Sequence, residues 1–536
     1  MNCFQCGSSH REHRGHREVS VTSVANLLDR SAGRSAALNS LLSGLALVLI
    51  LAITGVAFAE DWPQFRGPNC SGVATEARGL PTEFSSTKNV RWSAEVGEGI
   101  SGTVIAGGRL FVSGMSGPGK VTLRAFDART GRPLWQRDWE TGPLADVHAT
   151  NSHASATPAA DSERVYFYFT TLGLQAVDAA TGKDVWKQAL PEPFFVFKWG
   201  AGMSPVLYGE TVYFCQDDDL NPALWAFDRR TGKPLWRDDR LDMAVNYSHP
   251  ILNHIDGRDE LVVAGTGQLI GYDPVTGKRL WKARTLLRNI KTTPVARDGV
   301  IYVSVQSSGI ANQWIAAVDQ AETGNRDGQI DRAEIQAYVG ARPIPPAFLE
   351  RAFTRGDANR DGFLKGEELD AAFMDPENFA GTRHTASGEA AAEQFILAVR
   401  GGGEGDVTGT HLLWKHPTKH TDHVVSPFVD DDRMFLIKSG GIATVFEIEK
   451  GTPLGGPKRA GTATNYFASP VAGDGKLYLA GENGKVTVLK NAPGYDLLSV
   501  NELDEAIVAT PAISDDALFV RTRTKVYCLA NDTAAR

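Results

Sequence analysis

The stretch 125-AFDARTGRPLW-135 decides the fold, because close copies of it follow at regular intervals along the chain. Each copy has the pattern of a short strand, a tight turn and the start of the next strand. The further copies are AVDAATGKDVW (176–186), AFDRRTGKPLW (226–236) and GYDPVTGKRLW (271–281). The chain is therefore expected to be assembled from repeated β-sheet units.

Three positions of this repeat have a clear physical role. The aspartate can accept backbone N–H bonds within the turn. The glycine can adopt the positive φ that a hairpin bulge needs, and it recurs as Gly131, Gly182, Gly232 and Gly277. The tryptophan that ends each copy is large enough to fill the space between neighbouring sheets.

Two further series each count to eight. One is a Ser/Thr-Pro pair that precedes each unit, with these copies: Thr103-Val104 (degenerate), Thr157-Pro158, Ser204-Pro205, His249-Pro250, Thr293-Pro294, Ser426-Pro427, Ser469-Pro470 and Thr510-Pro511. The other is an alternating strand, as in RLFVSG, RVYFYF, TVYFCQ, LVVAGT, VIYVSV, RMFLIK, KLYLAG and ALFVRT. Eight units of the same kind are therefore expected.

The spacing of the units identifies the architecture. Successive repeat tryptophans from Trp92 to Trp281 are 43 to 51 residues apart, which is typical of four strands per unit in a β-propeller. The last unit is one strand short, and the strand NVRWSAEV (89–96) can supply the missing one. We predict an all-β fold, an eight-bladed β-propeller of four-stranded blades, with both terminal edges paired in the closed ring.

The units resemble the pyrroloquinoline-quinone-type repeat, which is shared by quinoprotein dehydrogenases and by the propeller subunit of the outer-membrane β-barrel assembly machinery. The opening DWPQFRGPNCSG (61–72) is similar to the start of secreted bacterial propellers of this group. The resemblance covers about residues 61–307 and 394–532, and its motifs are less regular in the sixth and seventh units.

An insert interrupts the fifth unit. Trp281 and the next repeat tryptophan, Trp414, are 133 residues apart, and removing residues 308–393 restores a spacing of 47. Reading WIAAVD (314–319) as the third strand leaves 59, outside the range of the other units, so we interpret 311–322 as a helix that enters the insert. The predicted organisation is a propeller in two parts, 60–307 and 394–536, around a helical insert at 308–393.

The insert contains a loop with the spacing of a calcium-binding EF-hand, DANRDGFLKGEE (357–368). Gly362 permits the sharp turn at the sixth position, and Lys365 at the ninth cannot ligate, so water is expected there. Helices are predicted on both sides, at 345–355 and 367–375. The predicted ligands are Asp357, Asn359, Asp361, the Phe363 carbonyl and a bidentate Glu368.

A sister loop precedes it, TGNRDGQIDRAE (323–334), with Thr323 where an aspartate is expected. Loss of that carboxylate should weaken binding, and whether this loop binds calcium was left open. Its candidate ligands are Thr323, Asn325, Asp327, Gln329 and Glu334.

The first 59 residues have the pattern of an export signal. Five arginines precede the apolar run at 41–56, which ends in Ala57-Phe58-Ala59, a small-residue cleavage pattern. The run has 16 residues, short for a membrane span, although an uncleaved anchor is the alternative. Cleavage would give an exported, periplasmic or extracellular protein with no stable membrane span. The unusually long leader also allows a true start downstream of Met1.

Charge and cysteine content exclude other classes. Without the leader the net charge is about −10, and there is no basic run, so nucleic acid is not an expected partner. The mature chain keeps three cysteines, Cys70, Cys215 and Cys528, which are too few for a disulfide framework.

The resemblance to quinoprotein dehydrogenases implies one enzymatic reading. Those enzymes place the quinone on the propeller axis with its own calcium, and many stack it against a disulfide between adjacent cysteines. This chain has no adjacent cysteines, and its repeat tryptophans belong to outer strands. We therefore expect no bound quinone, and no catalytic residue is assigned.

Polar and aromatic residues before the innermost strands should converge at one mouth of the channel, the default binding face. A hydrated funnel with hydrogen-bonded histidines was favoured there over a metal site. The candidates are His148, Asn151 and His153; Asn246, Tyr247 and His249; Asn289 and Lys291; His416, His420, Asp422 and His423; and Asn465 and Tyr466.

The sequence thus favours an exported, monomeric, calcium-binding propeller that binds a protein or polymer partner on a propeller face without catalysis of its own. A quinone-dependent oxidoreductase of alcohols or sugars is the alternative.

Overall fold

The repeat turns fold as their chemistry requires. In the third copy, Asp228 Oδ1 accepts the Thr231 N–H at 2.8 Å and the Thr231 hydroxyl at 2.7 Å. Gly232 follows with φ +70°. The same Asp–Thr bonding occurs at Asp127 and Asp178. The turn therefore stabilises itself and joins the third strand of a blade to the fourth.

The repeat tryptophan connects one blade to the next. Trp186, on the outermost strand of blade two, donates its indole N–H to the Arg229 carbonyl at 3.0 Å. Its ring also lies against Gly232, where a Cβ atom would be 2.5 Å from the indole. The same indole-to-carbonyl bond joins Trp92 to Ala128, Trp135 to Ala179, Trp236 to Pro274 and Trp414 to Ile448.

The computed structural model describes residues 60–195, 198–243, 246–285, 290–307, 315–339, 346–373, 393–419, 421 and 424–531. The predicted export signal, residues 1–59, lies outside them. Within these ranges, no helix has the length and apolar character needed to cross a bilayer.

Eight four-stranded antiparallel sheets form the ring, so the predicted eight-bladed propeller is confirmed. Blades one to four are Val104–Ala106, Arg109–Gly117, Lys120–Asp127, Pro133–Glu140; Ala159–Ala160, Arg164–Phe169, Gly173–Asp178, Asp184–Gln188; Val206–Tyr208, Thr211–Gln216, Ala223–Asp228, Pro234–Asp239; and Ile251–Ile255, Arg258–Gly265, Gln268–Tyr272, Arg279–Ala283. Blades five to eight are Val295–Arg297, Val300–Ser307, Glu393–Arg400, Leu412–Pro417; Phe428–Asp430, Arg433–Lys438, Ile442–Glu447, Pro453–Arg459; Val471–Gly473, Lys476–Ala480, Lys485–Lys490, Leu497–Glu502; and Ala512–Ser514, Ala517–Arg521, Lys525–Ala530, Val90–Glu95.

The last blade takes its outermost strand from the start of the chain. Val90–Glu95 pairs antiparallel with Lys525–Ala530, which closes the ring. Two short strands add to other blades in parallel, Val73–Ala74 beside Val471–Gly473 and Gly405–Asp406 beside Arg279–Ala283.

The Ser/Thr-Pro pairs form a ring of hydrogen bonds around the channel, which we call the hydroxyl belt. A hydroxyl of one blade accepts the backbone N–H at the same position of the preceding blade, at 2.9–3.3 Å. The donor and acceptor pairs are Gly102 to Thr157, Thr157 to Ser204, His249 to Thr293, Thr293 to Ser426, Ser426 to Ser469 and Ser469 to Thr510.

Residues 62–72, which we call the plug, close one end of the channel by bonding to innermost strands around the ring. Trp62 exchanges two backbone bonds with Ile105 of blade one. Asn69 bonds both the N–H and the carbonyl of Leu252 of blade four, each at 2.8 Å. Further contacts are Pro63 to Ala160, Gln64 to Leu207, Arg66 to Pro427 and Gly72 to Ala472.

The insert lies between Ser307 and Glu393, the directly paired ends of the second and third strands of blade five. Its helices are α1 (Arg332–Val339), α2 (Pro346–Gly356) and α3 (Glu367–Phe373). The region expected to be a helix at 311–322 contains a single π-helical turn, Ile315–Asp319, among its described residues. A fourth short helix, α4 (Thr408–His411), belongs to blade five.

The insert has a hydrophobic core of its own, built from Val318, Ile330, Ile335, Ala352, Phe353, Leu364, Leu369 and Ala372. Two propeller residues join it, Phe194 as a buried member and Leu220 packed against it. The insert therefore rests on the propeller, at loops of blades two and three.

Candidate functional site

The channel contains a cavity of about 540 Å³, which we call the axial well. Phe65 of the plug lies at its floor, and members of the hydroxyl belt surround it. The well is closed on the plug side and faces the loops that lead into each innermost strand. Its walls are Ile100, Gly102, His148, Thr150, Asn151, Ser155, Thr157, Trp199, Gly202, Ser204, Tyr247, His249, Lys291, Val424, Phe467, Ser469, Val508, Ala509 and Thr510.

His249 is the copy of the hydroxyl belt in which an imidazole replaces the hydroxyl. Its ring stacks on Phe65 at 4.3 Å between centroids, and its Nδ1 lies 3.1 Å from the Thr293 hydroxyl. The side chain is 6% exposed, and its Nε2 is buried with no hydrogen-bond partner. Burial, with the charge of Arg66, lowers the pKa of His249 to about 3, so the imidazole is neutral at physiological pH.

The floor is positively charged. Arg66 donates to the carbonyls of Pro427 and Ser71, whereas its Nε and Nη1 are buried without a partner. Burial lowers the pKa of Arg66 to about 10, which still leaves it protonated. Because no described residue lining the well is Asp or Glu, the well suits neutral or anionic groups.

Trp199 forms one wall and is fixed by several contacts. The Lys291 ammonium lies 4.5 Å from its ring centroid, a cation–π contact, and His148 lies 4.4 Å from it. Asn151 Nδ2 donates to the Trp199 carbonyl at 2.6 Å and to the Ala201 carbonyl at 3.1 Å. The position of this wall therefore depends on the loop that carries Trp199.

The structure places some of the expected mouth residues in the well and others elsewhere. His148, Asn151, Tyr247, His249 and Lys291 line it. Asn289, His420, Asp422 and His423 lie outside the described residues.

The remaining mouth candidates do not line the well, and in this respect the sequence interpretation was wrong. His153 lines a neighbouring cavity. His416 is on an outermost strand and contacts the Lys450 carbonyl. Asn246 bonds to the Met243 carbonyl, Asn465 to Glu482 and Tyr466 to Thr462.

Sequence reasoning missed Trp199 and Phe65 as well residues. Trp199 lies outside the repeat, so no periodic signal marked it. The Ser/Thr-Pro series did mark the belt that surrounds the well, although its role was not recognised.

The second loop of the insert has ordered turns. Gly362 has φ +86°, and its N–H donates to Asp357 Oδ2 at 3.0 Å. Asn359 Oδ1 accepts the Asp361 N–H at 2.7 Å, and Asp361 Oδ1 accepts the Phe363 N–H at 2.9 Å. Ile330↔Leu364 and Asp331↔Phe363 pair antiparallel and join the two loops.

Two carboxylate oxygens of this loop are left without partners. Asp357 Oδ1 and Glu368 Oε2 are buried and accept no hydrogen bond. Such oxygens carry a desolvation cost that a bound hard cation would offset. Across the described residues, no three His, Cys, Asp or Glu side chains are grouped closely enough to hold a metal ion.

In the first loop, Asp319 takes the structural place that sequence alignment gave to Thr323. Its Oδ1 accepts the Gly328 N–H at 3.3 Å, as Asp357 accepts that of Gly362 in the second loop. Asp319 is fully buried, and its backbone carbonyl accepts the Arg326 N–H. Sequence reasoning missed it because it lies four residues before the start of a 12-residue loop.

Comparison with known proteins identifies the family. The model of the family described as "Outer membrane protein assembly factor BamB" matches residues 73–196 and 119–349, together just over half of the chain. The chain belongs to this family of propeller repeats.

Individual relatives are distant and align in part. Polyvinylalcohol dehydrogenase of a Pseudomonas species is 29% identical over 160 residues, 28% of this chain and 24% of that protein. Outer membrane protein assembly factor BamB of Yersinia pestis is 24% identical over 275 residues, 48% of this chain and 66% of that protein. The chain thus aligns with less than two thirds of each relative's length.

Solved structures show the same propeller architecture. BamB from Moraxella catarrhalis superposes with a TM-score of 0.45 at 13% identity, over 83% of this chain and 99% of that chain. A europium-containing methanol dehydrogenase superposes with a TM-score of 0.42 at 12% identity, over 86% and 90%.

Proposed function

We propose that this protein is an exported, calcium-binding propeller that binds a protein or polymer partner at the mouth of its channel, without catalysis of its own. The observation that supports this most directly is the partnerless, buried Nε2 of His249 inside the closed axial well. A buried polar atom without a partner is costly, and a ligand group or an ordered water can satisfy it.

The chemistry of the well restricts what can enter it. Phe65, Trp199 and Phe467 offer apolar and aromatic surface, and Lys291 and Arg66 favour negative charge. A well of this volume accommodates a projecting side chain or chain end rather than a folded segment. The partner group is therefore an apolar body with a polar, neutral or anionic tip.

Calcium belongs to the insert in this proposal. Asp357 and Glu368 each present one partnerless, buried oxygen in a loop whose spacing suits a hard cation, so the residues present fit calcium. Asn359, Asp361 and the Phe363 carbonyl would complete the shell. The bound ion would stabilise the insert by the free energy of its binding.

The quinone-dependent alternative fits the residues less well. No adjacent cysteines occur in the chain, and the described well walls offer no carboxylate for the calcium that the resemblance places beside the quinone. We therefore assign no catalytic step to the well.

Blocking the mouth tests the binding proposal. Thr150 is exposed at the mouth, so Thr150→Trp should obstruct the well, whereas Val275→Trp places the same ring on an outer turn where the native side chain is 79% exposed. An immobilised wild-type protein and the Val275 variant should retain the same partner from an extract of the exporting cell, and the Thr150 variant should lose it. Equal retention by all three contradicts the proposal, as does oxidation of an alcohol or sugar after addition of the quinone and calcium.

Calorimetry on the full chain tests the calcium site. We expect one dominant site in the micromolar-to-millimolar range, lost in Asp357→Ala and in Glu368→Gln, with Mg²⁺ competing poorly because it prefers a tight octahedral shell. Thr181→Ala, in a repeat turn, is a control that leaves the insert untouched. Equal calcium binding in all variants contradicts the assignment.

A further inference from the structure

The insert holds a residue of the propeller in its own hydrophobic core. Phe194, from the loop of residues 189–205 that joins blade two to blade three (the 2–3 loop), is 6% exposed and packs with core residues of the insert. These include Phe353 on α2 and Leu369 and Ala372 on α3, the two helices that flank the second loop. A helix pair that encloses an aromatic side chain is the usual mode by which such pairs bind a target segment.

Polar contacts fix the same junction. The Phe194 N–H donates to Asp218 Oδ2 at 2.8 Å, and its carbonyl accepts the Asp219 N–H at 2.9 Å. Arg351 on α2 donates its guanidinium to the Asp219 carbonyl. Lys198 of the 2–3 loop lies 5.6 Å from the ring centroid of Tyr338 on α1. The insert therefore grips the 2–3 loop through all three of its helices.

The 2–3 loop also builds the wall of the axial well. Trp199, five residues after Phe194, is the wall residue that Lys291 and His148 contact. The Trp199 and Ala201 carbonyls both receive hydrogen bonds from Asn151, which also lines the well. One short loop thus reaches from the core of the insert to the ligand cavity.

We propose that the helix pair of the insert uses the 2–3 loop of its own propeller as its target, and that calcium binding in the insert is thereby coupled to the shape of the axial well. This inference rests on the calcium site proposed above. A cation that closes the loop at 357–368 fixes α2 relative to α3 and so stabilises the enclosure of Phe194. Held at Phe194, the 2–3 loop keeps Trp199 against Lys291 and His148.

The coupling is reciprocal, because two linked equilibria change each other's affinity by the same factor. Removing the target side chain must therefore weaken calcium binding at a site it does not touch. We expect Phe194→Ala to weaken calcium affinity of the full chain about tenfold in calorimetry, within the usual range of coupling energies. Phe194→Leu, which keeps an apolar anchor, should fall in between.

Phe126→Ala is the matched control, because Phe126 is similarly buried but belongs to a core cluster away from the insert. It should leave the calcium affinity unchanged, which separates loss of the target from general destabilisation. Equal calcium affinity in wild type and Phe194→Ala overturns the coupling.

Hydrogen exchange measured by mass spectrometry then separates this inference from the calcium site itself. In wild type, calcium should slow exchange both at 357–368 and in the 2–3 loop, and in Phe194→Ala only at 357–368. Slowing confined to 357–368 in wild type would leave the calcium site standing and overturn the coupling. No slowing in either segment would overturn both.

Discussion

At the scale of single residues, His249 shows how a repeat acquires a site. Seven of the eight equivalent positions read as Ser or Thr in the sequence, and His249 is the exception. The hydroxyls described in the belt are used up by backbone N–H groups, whereas the imidazole keeps one nitrogen partnerless. The sequence predicted the series and the odd member, but only the structure shows that the odd member faces a cavity.

The depressed pKa of His249 makes a prediction about acid stability. Its folded pKa of about 3 is below the unfolded value of 6.5, so between these pH values the unfolded state binds more protons and stability falls as the pH falls. His249→Phe keeps a ring against Phe65 but cannot titrate. Its free energy of unfolding relative to wild type should rise by about 1.4 kcal/mol for each pH unit below 6.5.

Urea unfolding of both proteins between pH 4 and pH 8 measures this difference. Other titrating groups contribute equally to both proteins and cancel. Parallel stability curves over the whole range would show that His249 is protonated as easily in the folded state as in the unfolded state.

Asp319 makes the second residue-scale prediction. With the second loop disabled by Glu368→Gln, any remaining weaker calcium site should depend on Asp319, because it holds the place in the first loop that Asp357 holds in the second. Asp319→Asn should remove that residual binding in calorimetry, and Thr323→Ala should not. The opposite result would restore the 12-residue alignment that the sequence favoured.

At the scale of elements, the contact between the repeat tryptophan and the glycine of the next blade was expected only in part. Sequence reasoning assigned the glycine to the turn and the tryptophan to the space between sheets. The structure joins the two roles, because the ring of Trp186 occupies the space where a side chain at position 232 would lie. Contacts between neighbouring blades depend on how the sheets are stacked, which the period of a repeat does not specify.

Two glycines with similar backbone conformations separate the two roles. Gly209 and Gly232 have φ +56° and φ +70°, but a Cβ at 209 meets nothing within 4 Å. We expect Gly209→Ala to cost about 1 kcal/mol for the left-handed backbone alone. Gly232→Ala should cost about 2–4 kcal/mol, because overpacking against the indole is added.

Chemical denaturation of the two variants and wild type is the measurement. A quenched or shifted Trp186 environment in Gly232→Ala should accompany the larger loss. Equal losses in the two variants would show that the ring yields without cost and that the glycine is required by the turn alone.

At the scale of the whole molecule, the repeat count predicted the ring and its number of blades, because eight copies of each signal are visible in the sequence. The docking of the insert was not predictable in this way. Phe194 lies outside every motif, and the contact between it and the insert joins segments more than a hundred residues apart. Such contacts follow from the three-dimensional path of the chain, which spacing does not reveal.

Removing the insert tests how independent the two parts are. Ser307 and Glu393 are a directly paired position of the hairpin, so residues 308–392 can be replaced by a short glycine-rich turn without moving either strand. We expect a folded propeller by circular dichroism. The deletion alone should be less soluble than the deletion combined with Phe194→Ser, because Phe194 loses its cover. An unfolded product in both cases would show that the propeller needs the insert.

The plug has a consequence for the order in which the chain can fold. Arg66 meets a carbonyl 361 positions further along, so this contact has no counterpart until the sixth blade exists. Sealing the floor is therefore a late step, delayed by a very large loop-closure entropy, and it coincides with joining the first and last strands. Until then a nascent chain emerging from export carries a row of unsatisfied strand edges around an open hub. The protein should mature in one late, cooperative event that depends on its C-terminal third, so a truncated chain gains little partial stability from the blades it already has.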